Sequence, residues 1–217
     1  MGAIENVSLK LAKGLGNKLN KSDEEVEVLN YGLFFIIHTF SAILITFIFG
    51  IIFNVLIEIM SISITASLLK RYCGGTHSST PNRCILSGLI LSLLISFISK
   101  YMAINISDIN LIILELVSLV FSIYFIYLKC PVGSKNKPLK KESTRNKLRK
   151  KAFKLMCIYV SSIICMLLIY KINQVYIVKL IIISMTMGIM LQIFAMSKIG
   201  DFTINLLEKL FNLINIK

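Results

Sequence analysis

Between Tyr31 and Leu69 the chain carries one charge, Glu58. A stretch this apolar is too long for one membrane span of about 20 residues and fits two. Similar runs recur further on. Of 217 residues, 56% are hydrophobic, and the mean hydropathy is +0.79. These features place the chain in the all-α, polytopic membrane class. The runs leave no room for a separate soluble domain, so residues 1–217 read as a single membrane-embedded domain. Residues 1–28 are polar and charged, unlike the apolar core of a cleavable signal peptide.

Ile4, Val7, Leu11, Leu15 and Leu19 recur at steps of three and four, with Lys10, Lys13 and Lys18 elsewhere on the wheel. This predicts an amphipathic helix over 4–20, lying on the membrane surface or on the protein's own cytoplasmic face. Ser22, followed by Asp23, Glu24 and Glu25, predicts an N-cap and a new helix. Six spans are expected, at about 31–53, 57–71, 84–99, 109–128, 155–170 and 175–197. Glu58 is expected at the outer end of the second span, and His38 as a hydrogen-bonded packing histidine within the first. The third span should stop at Lys100, Asp108 should cap the fourth, and Lys179 should snorkel outward from the sixth. Ile199, Phe202, Leu206, Leu210 and Leu213 share one face, predicting a second amphipathic helix over 199–216.

The formal net charge is +13. In a multi-pass protein this reads as basic cytoplasmic loops facing anionic lipid rather than as a nucleic-acid surface. Residues 129–154 hold eleven Lys and Arg against one acid, Glu142, and read as a basic cytoplasmic loop. Counting six spans outward from it puts both termini, and the loop at 70–84, on the cytoplasmic side of the cell membrane. The cysteines are Cys73, Cys84, Cys130, Cys157 and Cys165. Their odd number, and positions in or beside the spans, argue for free thiols rather than a disulfide framework.

The stretch from Lys70 to Ser87, KRYCGGTHSSTPNRCILS, breaks the apolar pattern. Gly74-Gly75 ends or bends the second span. Thr80-Pro81 has the signature of a helix start, with Thr80 as N-cap and Pro81 at the first helical position. Cys84 then falls at the end of a first helical turn, where a thiolate is stabilised. His77, on a loop folding back, could reach it as a base, and the free N–H groups of that turn are candidate oxyanion donors. Ser78, Ser79 and Asn82 are close enough in sequence to orient His77, and fit equally as loop or cap residues. A metal site of Cys73, His77 and Cys84 is a weaker alternative, because a structural zinc wants four ligands and the loop holds no fourth Cys or His. No cofactor or metal is expected. A plain connecting loop, and a small transporter or permease, are the competing readings.

Lys70-Arg71-Tyr72, Gly74-Gly75-x-His77 and then Cys84 resemble the signature of the accessory gene regulator protein B (AgrB) family, membrane cysteine endopeptidases of Gram-positive quorum sensing. Pro131-Val132, followed by Lys137-Pro138-Leu139 and a lysine-rich run, is a second match, and the likeness covers nearly the whole chain. Ser78 departs from the alanine of many members. The resemblance implies an AgrD-like propeptide as substrate, Cys84 as nucleophile and His77 as general base; Gly74 and Gly75 of the motif, and Ser78 and Asn82 by their nearness to His77, are candidates for support. It implies loss of an acidic C-terminal tail through an acyl-enzyme thioester, then closure of a thiolactone or lactone ring. Lys140 and Lys141 are the candidates for attracting that tail, although topology and lipid contact account for most of the lysine run. Membrane lipids are the other expected partner, and a homodimer is left open.

Overall fold

A backbone in hydrocarbon must satisfy its polar N–H and C=O groups within its own segment, which favours helices throughout. The computed structural model describes residues 3–76, 78–133 and 141–214. Its helices are α1 (Ala3–Lys18), α2 (Asp23–Ile52), α3 (Leu56–Cys73), α4 (Pro81–Asn105), α5 (Asp108–Lys129), α6 (Glu142–Asn173), α7 (Tyr176–Ala195) and α8 (Lys198–Leu213).

The expected starts of α2 and α4 are present. Ser22 and Glu25 form a capping box at α2, and the Thr80 hydroxyl accepts from the Arg83 N–H, with Pro81 opening α4. α4 runs past Lys100 to Asn105, and the Lys100 ammonium donates to the exposed Asn54 carbonyl at 2.6 Å. Ser107, rather than Asp108, caps α5 and accepts from the Asn110 N–H; Asp108 instead accepts from the Tyr170 hydroxyl at 2.8 Å. Lys179 does not snorkel outward. It is buried and donates to the Ile106 carbonyl at 2.6 Å, with Tyr170 beside it. The basic stretch is only partly a loop: α6 begins at Glu142 and carries Arg145 to Lys154 on its opening turns.

Among the described residues five helices, α2, α4, α5, α6 and α7, are long and apolar enough to cross a membrane. The expected second span, α3, is not among them: it carries the charges of Glu58, Lys70 and Arg71 besides Ser61, Ser63, Thr65 and Ser67. It runs from the Asn54 turn, tied to Lys100, to the opposite end of the bundle, where the Cys73 carbonyl accepts from the Val132 N–H. One face packs against the other helices and the opposite face stays exposed at Ile57, Ile64 and Leu68. On the packed face Ile59, Ile62 and Leu69 are fully buried, Glu58 is buried in the first turn, and the Thr65 carbonyl accepts from the Tyr159 hydroxyl at 3.0 Å. A small hydroxyl residue such as the buried Thr65 suits a helix–helix contact. Its main neighbour is α7. A side chain at Gly188 would meet the Ile62 carbonyl at 2.7 Å, so glycine sets how closely the two helices cross.

Candidate active site

The chain between α3 and α4 is held against the end of the bundle. Gly74 (φ +71°) and Gly75 (φ +120°) adopt backbone conformations that L side chains disfavour. Close packing is a second constraint on both. A Cβ at Gly74 would run into the Val132 carbonyl, and one at Gly75 would lie 2.8 Å from the Ala195 carbonyl. Gly74 pairs with Val132 in an isolated bridge and accepts from Gln192 Nε2 at 2.8 Å. The Thr76 N–H and hydroxyl both donate to the Ala195 carbonyl, at 2.9 and 2.6 Å. The loop is thus seated on the C-terminal end of α7 and on the segment that follows α5.

Beyond the turn, α8 takes over. Glu208 Oε1 accepts from the Ser79 N–H at 2.8 Å. Its Oε2 accepts from the Ser79 hydroxyl and from Arg83 Nη1, both at 2.7 Å. Cys84 follows Arg83 at the end of the first turn of α4, as the Thr80-Pro81 signature predicts, and is partly exposed.

First-turn donors are scarcer than the sequence suggests. Pro81 has no N–H, the Arg83 N–H is taken by the Thr80 hydroxyl, and the Cys84 N–H by the Thr80 carbonyl at 3.0 Å. Asn82 retains the first-turn N–H that the cap does not engage. Its side chain is on an exposed residue, and the Ser78 hydroxyl pairs with the Ser87 hydroxyl at 3.1 Å. His77 and Lys140 lie outside the described residues; Lys141 is exposed at the N-cap of α6.

Cys84 opens onto a cavity of about 280 Å³ between α2, α3, α4 and the α7–α8 corner. Its walls are mainly apolar, Phe194 and Ile204 among them, and include the polar residues Lys70, Thr76 and Ser78. His38 lines it too. Contrary to the expectation of a hydrogen-bonded packing residue, its Nε2 is buried with no hydrogen-bond partner among the described residues, and its ring lies 5.7 Å from that of Phe34.

Cys73 belongs to a different setting. It is fully buried beside Cys130, also buried. The Cys130 Sγ donates to the Tyr72 carbonyl at 3.9 Å. Against its burial, the Cys130 thiol is pulled down by the neighbouring Cys73 thiol and by the nearby Arg149 guanidinium. Arg149 also donates from Nε to the Cys130 carbonyl at 2.9 Å. Cys157 and Cys165 lie on exposed faces of α6.

Glu208, Gln192 and the Ala195 carbonyl were not legible as site elements. Their one sequence signal was weak: Glu208 is an acid on the amphipathic C-terminal helix of a strongly basic chain.

Residues 8–196 match the Accessory gene regulator B family. An AgrB-like protein of Clostridium perfringens strain SM101 is 30% identical over 210 residues, covering 96% of this chain and 98% of that protein. An AgrB-like protein 2 of C. perfringens strain 13 is 29% identical with the same coverage. No solved structure matches. The signature at Lys70–Cys84, the helical bundle with several membrane-length helices, and a family match across most of the chain agree: this protein belongs to the accessory gene regulator B family, which takes part in the processing of quorum-sensing peptides.

Proposed function

We propose that this protein is a membrane cysteine endopeptidase that cleaves the C-terminal tail from an AgrD-like propeptide and yields a cyclic thiolactone or lactone intermediate. The observation that carries the reading is the setting of Cys84, a partly exposed thiol in the capped first turn of α4 that opens onto a mainly apolar cavity. His77, assigned by family resemblance, takes the thiol proton. The Cys84 sulfur adds to the scissile carbonyl, and the Asn82 N–H is the nearest candidate to steady the developing oxyanion. Collapse breaks the C–N bond. The leaving amine takes the proton from the imidazolium and departs with the tail, and the remaining peptide stays on Cys84 as a thioester.

A thiol or hydroxyl of that same peptide then attacks the thioester carbonyl. The new bond closes the ring, the bond to Cys84 breaks, and the proton lost by the attacking group returns to the Cys84 sulfur. Exchange of one thioester for another costs little free energy. The tethered nucleophile outcompetes water through its effective concentration, and an apolar cavity further disfavours hydrolysis. Lys140 and Lys141, with the basic turns that open α6, attract the acidic tail. The six-crossing topology, with both termini cytoplasmic, belongs to this proposal, with α3 as one of the crossings.

The test is cleavage of a co-expressed, tagged AgrD-like propeptide by wild type, Cys84→Ala, Cys84→Ser and His77→Ala, with insertion verified for each. Wild type should release the tail while all three variants, though inserted, should not. Cleavage by Cys84→Ala at the wild-type rate refutes the reading.

A further inference from the structure

The inner stripe of α8 contains an anomaly. Gly200 and Phe211 are buried, and Ile204 lines the Cys84 cavity. Glu208 falls on this stripe, four residues from Ile204 and three from Phe211, and its side chain is only 16% exposed. The opposite face carries Ile199, Phe202, Leu206 and Leu213, all exposed and apolar. A carboxylate is costly on the inward face of an amphipathic helix unless it is fully paired. Here it is paired, and its partners among the described residues belong to the segment that leads into Cys84: the Ser79 N–H, the Ser79 hydroxyl and the Arg83 guanidinium. The Arg83 side chain is 13% exposed. Stability alone does not call for this arrangement, because apolar side chains of similar volume commonly match or exceed a buried ion pair. What the pair adds is geometry. Two carboxylate oxygens accept three bonds and fix Ser79 and Arg83 relative to α8, and Cys84 is the next residue.

We propose that Glu208 is a positioning residue for Cys84: the C-terminal helix reaches back and fixes the Ser79–Arg83 segment, so that the α4 N-terminus presents Cys84 to the cavity in one orientation. This rests on reading Cys84 as the nucleophile. A consequence is that α8, bearing an apolar face suited to lipid, is part of the working site although it carries none of the reacting groups.

The experiment uses the full chain in proteoliposomes with a tagged AgrD-like propeptide, counting inserted protein for each variant. A misplacement of about 1 Å can cost on the order of 100-fold in rate, so Glu208→Ala should lower kcat by about that factor. Because the effect is on reaction geometry rather than substrate affinity, KM should stay within about twofold. Glu208→Gln, which keeps an acceptor for Ser79 but no charge for Arg83, should fall between. Lys209→Ala, a neighbouring change on α8, should match wild type.

Arg83→Met/Glu208→Leu separates positioning from stability. Apolar replacement should keep the protein folded and inserted, yet kcat should remain low. The inference is overturned if that double variant, or Glu208→Ala, retains wild-type kcat while cleavage depends on Cys84. If Cys84→Ala itself cleaves at the wild-type rate, the peptidase reading falls and this inference falls with it.

Discussion

Gln192 donates from Nε2 to the Gly74 carbonyl at 2.8 Å, linking α7 to the first residue beyond α3. Gln192 is 1% exposed, so this bond forms where water does not compete. Replacing it with leucine keeps the bulk and leaves the carbonyl without its donor. A buried unsatisfied acceptor costs about 1–3 kcal/mol. Gln192→Leu should insert normally but loosen the turn before Cys84, lowering the processing rate. Wild-type processing by an inserted Gln192→Leu protein would show that the bond is not needed to hold the turn.

Gly75 combines two constraints, a φ of +120° and an Ala195 carbonyl 2.8 Å from where a Cβ would stand. Alanine there is strained by about 1–3 kcal/mol before any clash is counted. Gly75→Ala should abolish or strongly reduce propeptide cleavage while leaving insertion intact. Gly14 is the contrasting case: it lies within α1 with open space where a methyl group would stand, so Gly14→Ala should leave processing unchanged and firm the helix by about 0.5–1 kcal/mol. Equal outcomes for the two substitutions would refute the argument from local geometry.

The five thiols should differ sharply toward a polar alkylating reagent near neutral pH. Cys73 and Cys130 are buried, away from a polar reagent. Cys157 and Cys165 are exposed on α6, which is long and apolar enough to cross the membrane. Cys84 combines partial exposure with a helix N-terminus and should label first. Cys73→Ala should keep processing, and mass mapping of the labelled protein reads the rest. Preferential labelling of any other cysteine would contradict this order.

Burial alone would raise the Glu208 carboxyl. The Ser79 N–H and hydroxyl and the Arg83 guanidinium outweigh it and hold the group below its ordinary value of 4.5. A carboxyl depressed in the folded state contributes its full stability above that ordinary value, and the contribution is lost as pH falls through the lowered one. The Ser79 amide should therefore keep its hydrogen-exchange protection factor at neutral and mildly acidic pH, and lose it only in stronger acid. Loss of that protection well above the ordinary carboxyl range would contradict the pairing.

Much of the frame was legible because it is local. The Ser22 cap, the Thr80-Pro81 start of α4 and the one-sided apolar pattern of α8 depend on residues within one or two turns, and each appears as the sequence predicts. The signature at Lys70–Cys84 pointed to the family for the same reason. Its glycines, cap and cysteine are close in sequence, so their spacing alone carries information.

Local pattern failed where a distant partner changed the environment. Lys100 reads as a helix stop until the Asn54 carbonyl is seen to receive it, and Lys179 reads as an outward snorkel until Ile106 is seen beneath it. α3 reads as an ordinary span, yet Glu58 in its first turn is buried against its neighbours. By itself the sequence determined the helical segments, the break after α3 and the helix start that bears Cys84, because backbone propensity and capping act over a few residues. Only the tertiary structure decided that α7 and α8 would cradle that break. Bonds from Gln192 to Gly74 and from Ser79 to Glu208 join residues more than 100 positions apart, and no local pattern encodes which buried donor and acceptor will meet.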